Sequence, residues 1–134
     1  PPDFGEVELE TWERFYQELI GKVGELREMT ERPVSDASAT TLLRDAARAL
    51  HSIKAAAHVI PVTQIVQRTH QLETRLESCQ SEHHEAITRM LQQHADWLES
   101  LVQPENVTAE QIGAVEQFAE RVKTLEPGGP NEPA

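Results

Sequence analysis

Residues 43–57 read Leu43-Arg44-Asp45-Ala46-Ala47-Arg48-Ala49-Leu50-His51-Ser52-Ile53-Lys54-Ala55-Ala56-Ala57. Leu43, Ala46, Ala47, Leu50, Ile53 and Ala57 recur every three or four positions, which is the pattern of a helix with one apolar stripe. The helix is expected from about Ser38 to Ile60. Ser35, Asp36 and Ser38 are suitable N-caps, and Pro61 closes the segment.

The same period continues on both sides. From Glu6 to Met29 it uses Trp12, Phe15, Tyr16, Leu19, Val23 and Leu26, and Glu31-Arg32-Pro33 ends the run. From Thr63 to Ser81 it uses Ile65, Thr69, Leu72, Leu76 and Cys79; from Glu82 to Gln103 it uses Ile87, Met90, Leu91, Ala95, Leu98, Leu101 and Val102. Pro104 and Asn106 break the chain there. A fifth stripe, Ile112, Val115, Phe118, Ala119, Val122 and Leu125, follows Thr108-Ala109-Glu110-Gln111, which reads as a capping box. No segment alternates as a strand does, and aromatics make up only 4% of the chain, which disfavours a sheet. The expected fold is all-α: an antiparallel four-helix bundle with short loops and a fifth, C-terminal helix beside it. Residues 1–126 are expected to form the domain and residues 127–134 a flexible linker or tail. The opening Pro1-Pro2-Asp3-Phe4 lacks the pattern of a signal peptide, and the whole reads as one domain of a longer protein.

Charge and cysteine usage narrow the function. The 134 residues carry 12 Lys+Arg against 23 Asp+Glu, a net charge of −11. Nucleic acid and anionic membrane surfaces both call for a basic face, so neither is an expected partner. No apolar run is long enough to span a bilayer. Cys79 stands alone, which excludes an intramolecular disulfide and a cysteine zinc site and fits a reducing, cytoplasmic setting. It is expected to be a buried, inert packing residue.

On a helical wheel His51 lies off the apolar stripe, on the flank that carries Arg44, Arg48, Ala55 and His58, so it is expected to be exposed. Lys54 falls at the stripe boundary. Ala55, Ala56 and Ala57 form a small-residue shelf that lets another protein's backbone approach the imidazole. The third helix carries His70 and Glu73 one turn apart, with Glu73 at the edge of its stripe. A hairpin pivoting at Pro61 brings His51, ten residues before it, level with His70 and Glu73, nine and twelve after it. A carboxylate that accepts Nδ1–H of His51 would leave Nε2 free as a nucleophile and stabilise the positive charge that develops on attack. Lys54 would supply positive charge to phosphoryl oxygens.

Here the sequence resembles the histidine phosphotransfer family. Ala49-Leu50-His51-Ser52-Ile53-Lys54 resembles its phosphoacceptor motif, His-x-Ile/Leu-Lys followed by small residues. Thr69-His70-Gln71-Leu72-Glu73 resembles its second signature, His-x-x-Glu. Within the family it is most similar to the N-terminal domains of CheA-type chemotaxis kinases. The resemblance implies that His51 is phosphorylated, Glu73 orients it, Lys54 sits by the phosphoryl group and His70 belongs to the same hydrogen-bond network. It further implies no cofactor in this domain. ATP and magnesium would be bound by a separate histidine kinase catalytic domain, and a response-regulator receiver domain would take the phosphoryl group onto an aspartate. The isolated domain would be monomeric, with Arg44, Arg48, Ala55 and His58 at the docking face. Four positions depart from the pattern: Ala55 and Ala56 stand where glycines are usual, His58 where a small residue is usual, and Pro61 where the turn often has glycine.

Plainer readings exist for each residue. An exposed helix histidine is ordinarily just solvated, and the same plain reading applies to His70. Glu73 could pair with Arg68, Arg75 or Arg89, and the stem of Lys54 could simply cover apolar surface. His83, His84 and His94 raise a metal question, but no histidine has Glu three residues before it, so no metal is expected. Trp12 and Trp97 are expected in or near the core, with a bundle-surface aromatic also able to serve an interface. The register of His51, Lys54, His70 and Glu73 favours phosphotransfer. A non-catalytic scaffold, or an intermediate carrier loaded by a receiver, are the alternatives.

Overall fold

A computed structural model describes residues 7–33, 35–60, 62–102 and 111–125. Five α-helices follow in order: α1 (Leu9–Glu31), α2 (Asp36–Val59), α3 (Thr63–Glu77), α4 (His84–Val102) and α5 (Gln111–Leu125), with one 3-10 turn at Ser81–His83 before α4. No strand occurs among the described residues, so the fold is all-α, as the periodicity requires. The Pro61 pivot, the Pro104–Asn106 break, the Thr108–Gln111 capping box and the 127–134 tail lie outside the described residues or their described side chains.

Cross-helix pairs show that neighbours run antiparallel. Lys54, late in α2, meets Glu73 of α3, whereas the earlier Leu43 and Ala47 line a cleft with the later Leu76 and Glu77. Arg27 of α1 binds Asp96 (2.7 Å) and Glu99 (3.4 Å) of α4, whereas the later Thr30 and Arg32 lie with the earlier His84, Glu85 and Thr88, and Arg32 also binds Asp45 early in α2 (3.2 Å). α1 touches α2, α4 and α5, and α2 also touches α3.

The buried stripes of all five helices merge into one core. Phe118 of α5 is fully buried against Trp12, Phe15 and Tyr16 of α1, with ring centroids 5.3–6.1 Å apart. Arg121 Nε donates to the Leu101 carbonyl at 2.7 Å. That bond satisfies one of the carbonyls left open at the C-terminal end of α4 and ties α5 to it.

Helix starts and ends differ from expectation by a few residues. Of the three cap candidates Ser35 takes the N-cap position of α2, its N–H donating to Ser38 Oγ at 2.9 Å. The α2 stripe is broader than expected and shifted: Leu42, Ala49, Ala56 and Ile60 are also buried, whereas Ala47 is exposed and Leu43 only half-buried. The cause is that α2 is flanked by α1 on one side and α3 on the other, so its covered arc exceeds one wheel stripe. α3 stops at Glu77, where Ser78 N–H turns back to Arg75 O. Cys79 therefore lies past the helix, half-buried against the core and not inside it.

Candidate functional site

Arg44, Arg48, His51, Ala55 and His58 recur at intervals of four and three along α2, and all five are exposed. They form the solvent crest of the helix, as the wheel predicts. His51, Arg44 and Arg48 make no hydrogen bond or ion pair among the described residues. Two unneutralised guanidinium groups thus flank the imidazole on a chain of net charge −11. The expected alanine shelf is narrower than the sequence suggests. Ala56 and Ala57 turn inward and are buried, leaving Ala55 alone on the crest. Consecutive helical residues are about 100° apart, so three adjacent side chains cannot share a face.

Lys54 leans from the crest toward α3. Its Nζ lies 2.6 Å from Oε1 of Glu73, with the two side chains 22% and 18% exposed. Oε1 itself is buried and receives no well-aligned hydrogen bond, so this contact is chiefly an ion pair. Nδ1 of His70 stands 3.9 Å from the same oxygen, but the His70 side chain is 68% exposed. The structure therefore brings Lys54, His70 and Glu73 together, and Arg68, Arg75 and Arg89 do not compete for the carboxylate. His51, one turn before Lys54 on α2, makes no hydrogen bond to Glu73. The reason is directional: His51 points along the crest, about 60° around the helix from Lys54, and the longer lysine reaches the carboxylate first.

A family model of the Hpt domain matches residues 10–125. The chain belongs to the Hpt domain family. Hpt domains are phosphotransfer carriers of two-component signalling, and they interact with kinases and response regulators. No curated protein and no solved structure matches the chain. No helix among the described residues is long and apolar enough to cross a membrane.

Of the departures noted above, the Ala56 methyl of this Hpt domain is absorbed by the core, whereas Ala55 and His58 remain on the exposed crest.

The sequence weighed His94 only as a metal ligand, yet it occupies the apolar stripe of α4 between Leu91 and Leu98, and it is buried. Its Nε2 lies 3.0 Å from Oγ1 of the buried Thr69, its ring stacks on Trp97 at 5.9 Å, and the Arg68 guanidinium covers Trp97 at 4.2 Å. Its spacing in the stripe was the available signal; a polar residue type hid it. Burial, with help from the positive charge of Arg68, pushes the His94 pKa down to about 4. The unfolded chain, titrating near pH 6.5, then takes up the proton first. Stability from this residue is complete above about pH 6.5 and declines as the pH falls through 4, by about 3 kcal/mol in all. Urea midpoints measured across that window should drop accordingly, and His94→Gln should flatten the drop.

Proposed function

We propose that this Hpt domain is a phosphorelay carrier of the CheA type, with His51 as the phosphoryl acceptor. The observation that supports this reading is an exposed imidazole on the α2 crest, flanked by unpaired Arg44 and Arg48, with the Lys54–Glu73 pair one turn away. In the proposed reaction a separate kinase domain holds ATP and magnesium. Nε2 of His51 attacks the γ-phosphorus, an N–P bond forms, the β,γ P–O bond breaks and ADP leaves with the bridging oxygen. A receiver aspartate then attacks the same phosphorus, the N–P bond breaks, and neutral His51 is restored. The domain carries the group and does not turn over nucleotide by itself.

Glu73 acts here in two states. At rest it holds Lys54. Incoming phosphoryl oxygens draw Nζ away, and the freed carboxylate accepts Nδ1–H of His51, which stabilises the charge formed on attack. Ala55 and His58 line the face on which kinase and receiver alternate. The setting is the cytoplasm, and the domain works as a monomer.

The test is incubation with a CheA-type kinase domain and labelled ATP-magnesium, followed by a receiver. Label on this domain should be acid-labile and base-stable, and the receiver should remove it. Absence of label with both kinases and phosphorylated receivers would identify a docking scaffold instead. Glu73→Ala should slow label uptake at least about tenfold, in the range of a lost acid–base or orienting group. It should cost about 1–3 kcal/mol in a urea melt, because the pair is mostly buried and Lys54 loses its partner. An unchanged rate would remove Glu73 from the mechanism.

A further inference from the structure

A second concave site lies between α3 and α4, away from His51. Arg68, Leu72 and Arg75 of α3 and Met90, His94 and Trp97 of α4 line a cleft of about 200 Å³. Cofactor and metabolite pockets run from roughly 300 to 1,000 Å³, so this one suits a side chain or two.

Its charges are positive and unneutralised. Arg68 and Arg75, like Arg44 and Arg48 on the α2 crest, have no ion pair among the described residues, so this cleft is a second place where an acid-rich chain (23 acidic against 12 basic residues) presents two unneutralised guanidinium groups side by side. Arg68 already sits over the half-buried Trp97, its guanidinium carbon 4.2 Å from the ring centre. Trp97 in turn rests on His94, whose ring is held by Thr69. The platform is thus fixed before anything binds, which lowers the entropy cost of docking. Trp and Arg are the residues that concentrate binding energy in protein interfaces, and Arg presents a planar fork that matches a carboxylate.

We propose that the α3–α4 cleft docks an acidic peptide segment of a partner protein, one carboxylate meeting Arg68 and Arg75 and an apolar neighbour resting on Leu72, Met90 and Trp97. A second copy of this chain is a poor occupant, since it brings a whole body of net charge −11 against another, whereas a short acidic segment brings only its own few carboxylates to the two arginines. The site is separate from the phosphoryl-transfer face, so a partner held here could remain while His51 is loaded and unloaded.

The test uses the folded domain and a synthetic probe, acetyl-Glu-Glu-Leu-Phe-Glu-Glu-amide, with the matching Gln peptide as control, followed by amide and indole NMR. The acidic probe should shift the Trp97 indole signal and residues of α3 and α4, and the Gln peptide should not. Arg75→Glu should weaken binding at least about tenfold while leaving the melting temperature unchanged, with Arg75→Lys intermediate. His51→Gln should bind the probe normally, which keeps this result independent of the phosphotransfer reading. Shifts centred on Arg44, Arg48 and His51, equal binding by Arg75→Glu, inorganic phosphate reproducing the Trp97 shift, or self-association in place of probe binding would each overturn the proposal.

Discussion

Replacing His51 with Gln is expected to abolish phosphoryl labelling while leaving the fold untouched. Glutamine keeps a polar side chain on the α2 crest, but its amide nitrogen has no lone pair free to attack phosphorus. The native imidazole is exposed and makes no hydrogen bond or ion pair among the described residues. Its loss should therefore move stability by no more than about 0.5 kcal/mol, the usual range for a surface substitution. Two nearby histidines sharpen the result. His58 is exposed on the same crest and His70 is 68% exposed beside Glu73, so His58→Gln and His70→Gln should both retain label. Label that survives in His51→Gln and disappears in His58→Gln would transfer the carrier role to His58.

Phe118→Ala should be the most destabilising of the substitutions considered. Phe118 is fully buried and touches the rings of Trp12, Phe15 and Tyr16. Truncating a buried Phe removes its transfer free energy and leaves a cavity, together about 3–5 kcal/mol. Domains of this size have only about 5–15 kcal/mol in total. The Arg121–Leu101 bond cannot replace that contact, since one hydrogen bond contributes about 1 kcal/mol. Urea unfolding should show a large fall in midpoint. A change under about 1 kcal/mol would mean that α5 is not part of the cooperative unit. α5 packs on α1 and α4, so the folded fraction of Phe118→Ala should still take label on His51.

The α1 and α4 stripes illustrate what could be read from order alone. Trp12, Phe15, Tyr16, Leu19, Val23 and Leu26 are all buried, and so are Ile87, Leu91, Ala95, Leu98, Leu101 and Val102. Met90 of the expected α4 stripe is only half-buried; elsewhere the large apolar residues of these two helices mark the inward face by their period. α2 was read less well. Ala47 and Ala56 exchanged their expected places because α1 and α3 cover it from two sides, and alanine, apolar but small, carries little information about its own burial. The burial of His94 is hidden in the sequence for a related reason. Its position was apolar by period and its residue type polar, and Thr69, 25 positions away, is what makes the burial tolerable.

For the site, the sequence by itself determined the helix, the exposure of His51 with Arg44, Arg48 and His58, and the rough level at which Glu73 meets α2. All of these follow from periodicity and a short hairpin. Only the tertiary structure decided that Glu73 is held by Lys54 at 2.6 Å and makes no bond to His51, and that Arg68 lies across Trp97 without an acidic partner. A wheel gives the direction in which each side chain leaves its own helix. Which of two groups reaches a carboxylate on the next helix depends on side-chain length, the separation of the axes and the competition between neighbours, and those are set only when the helices pack.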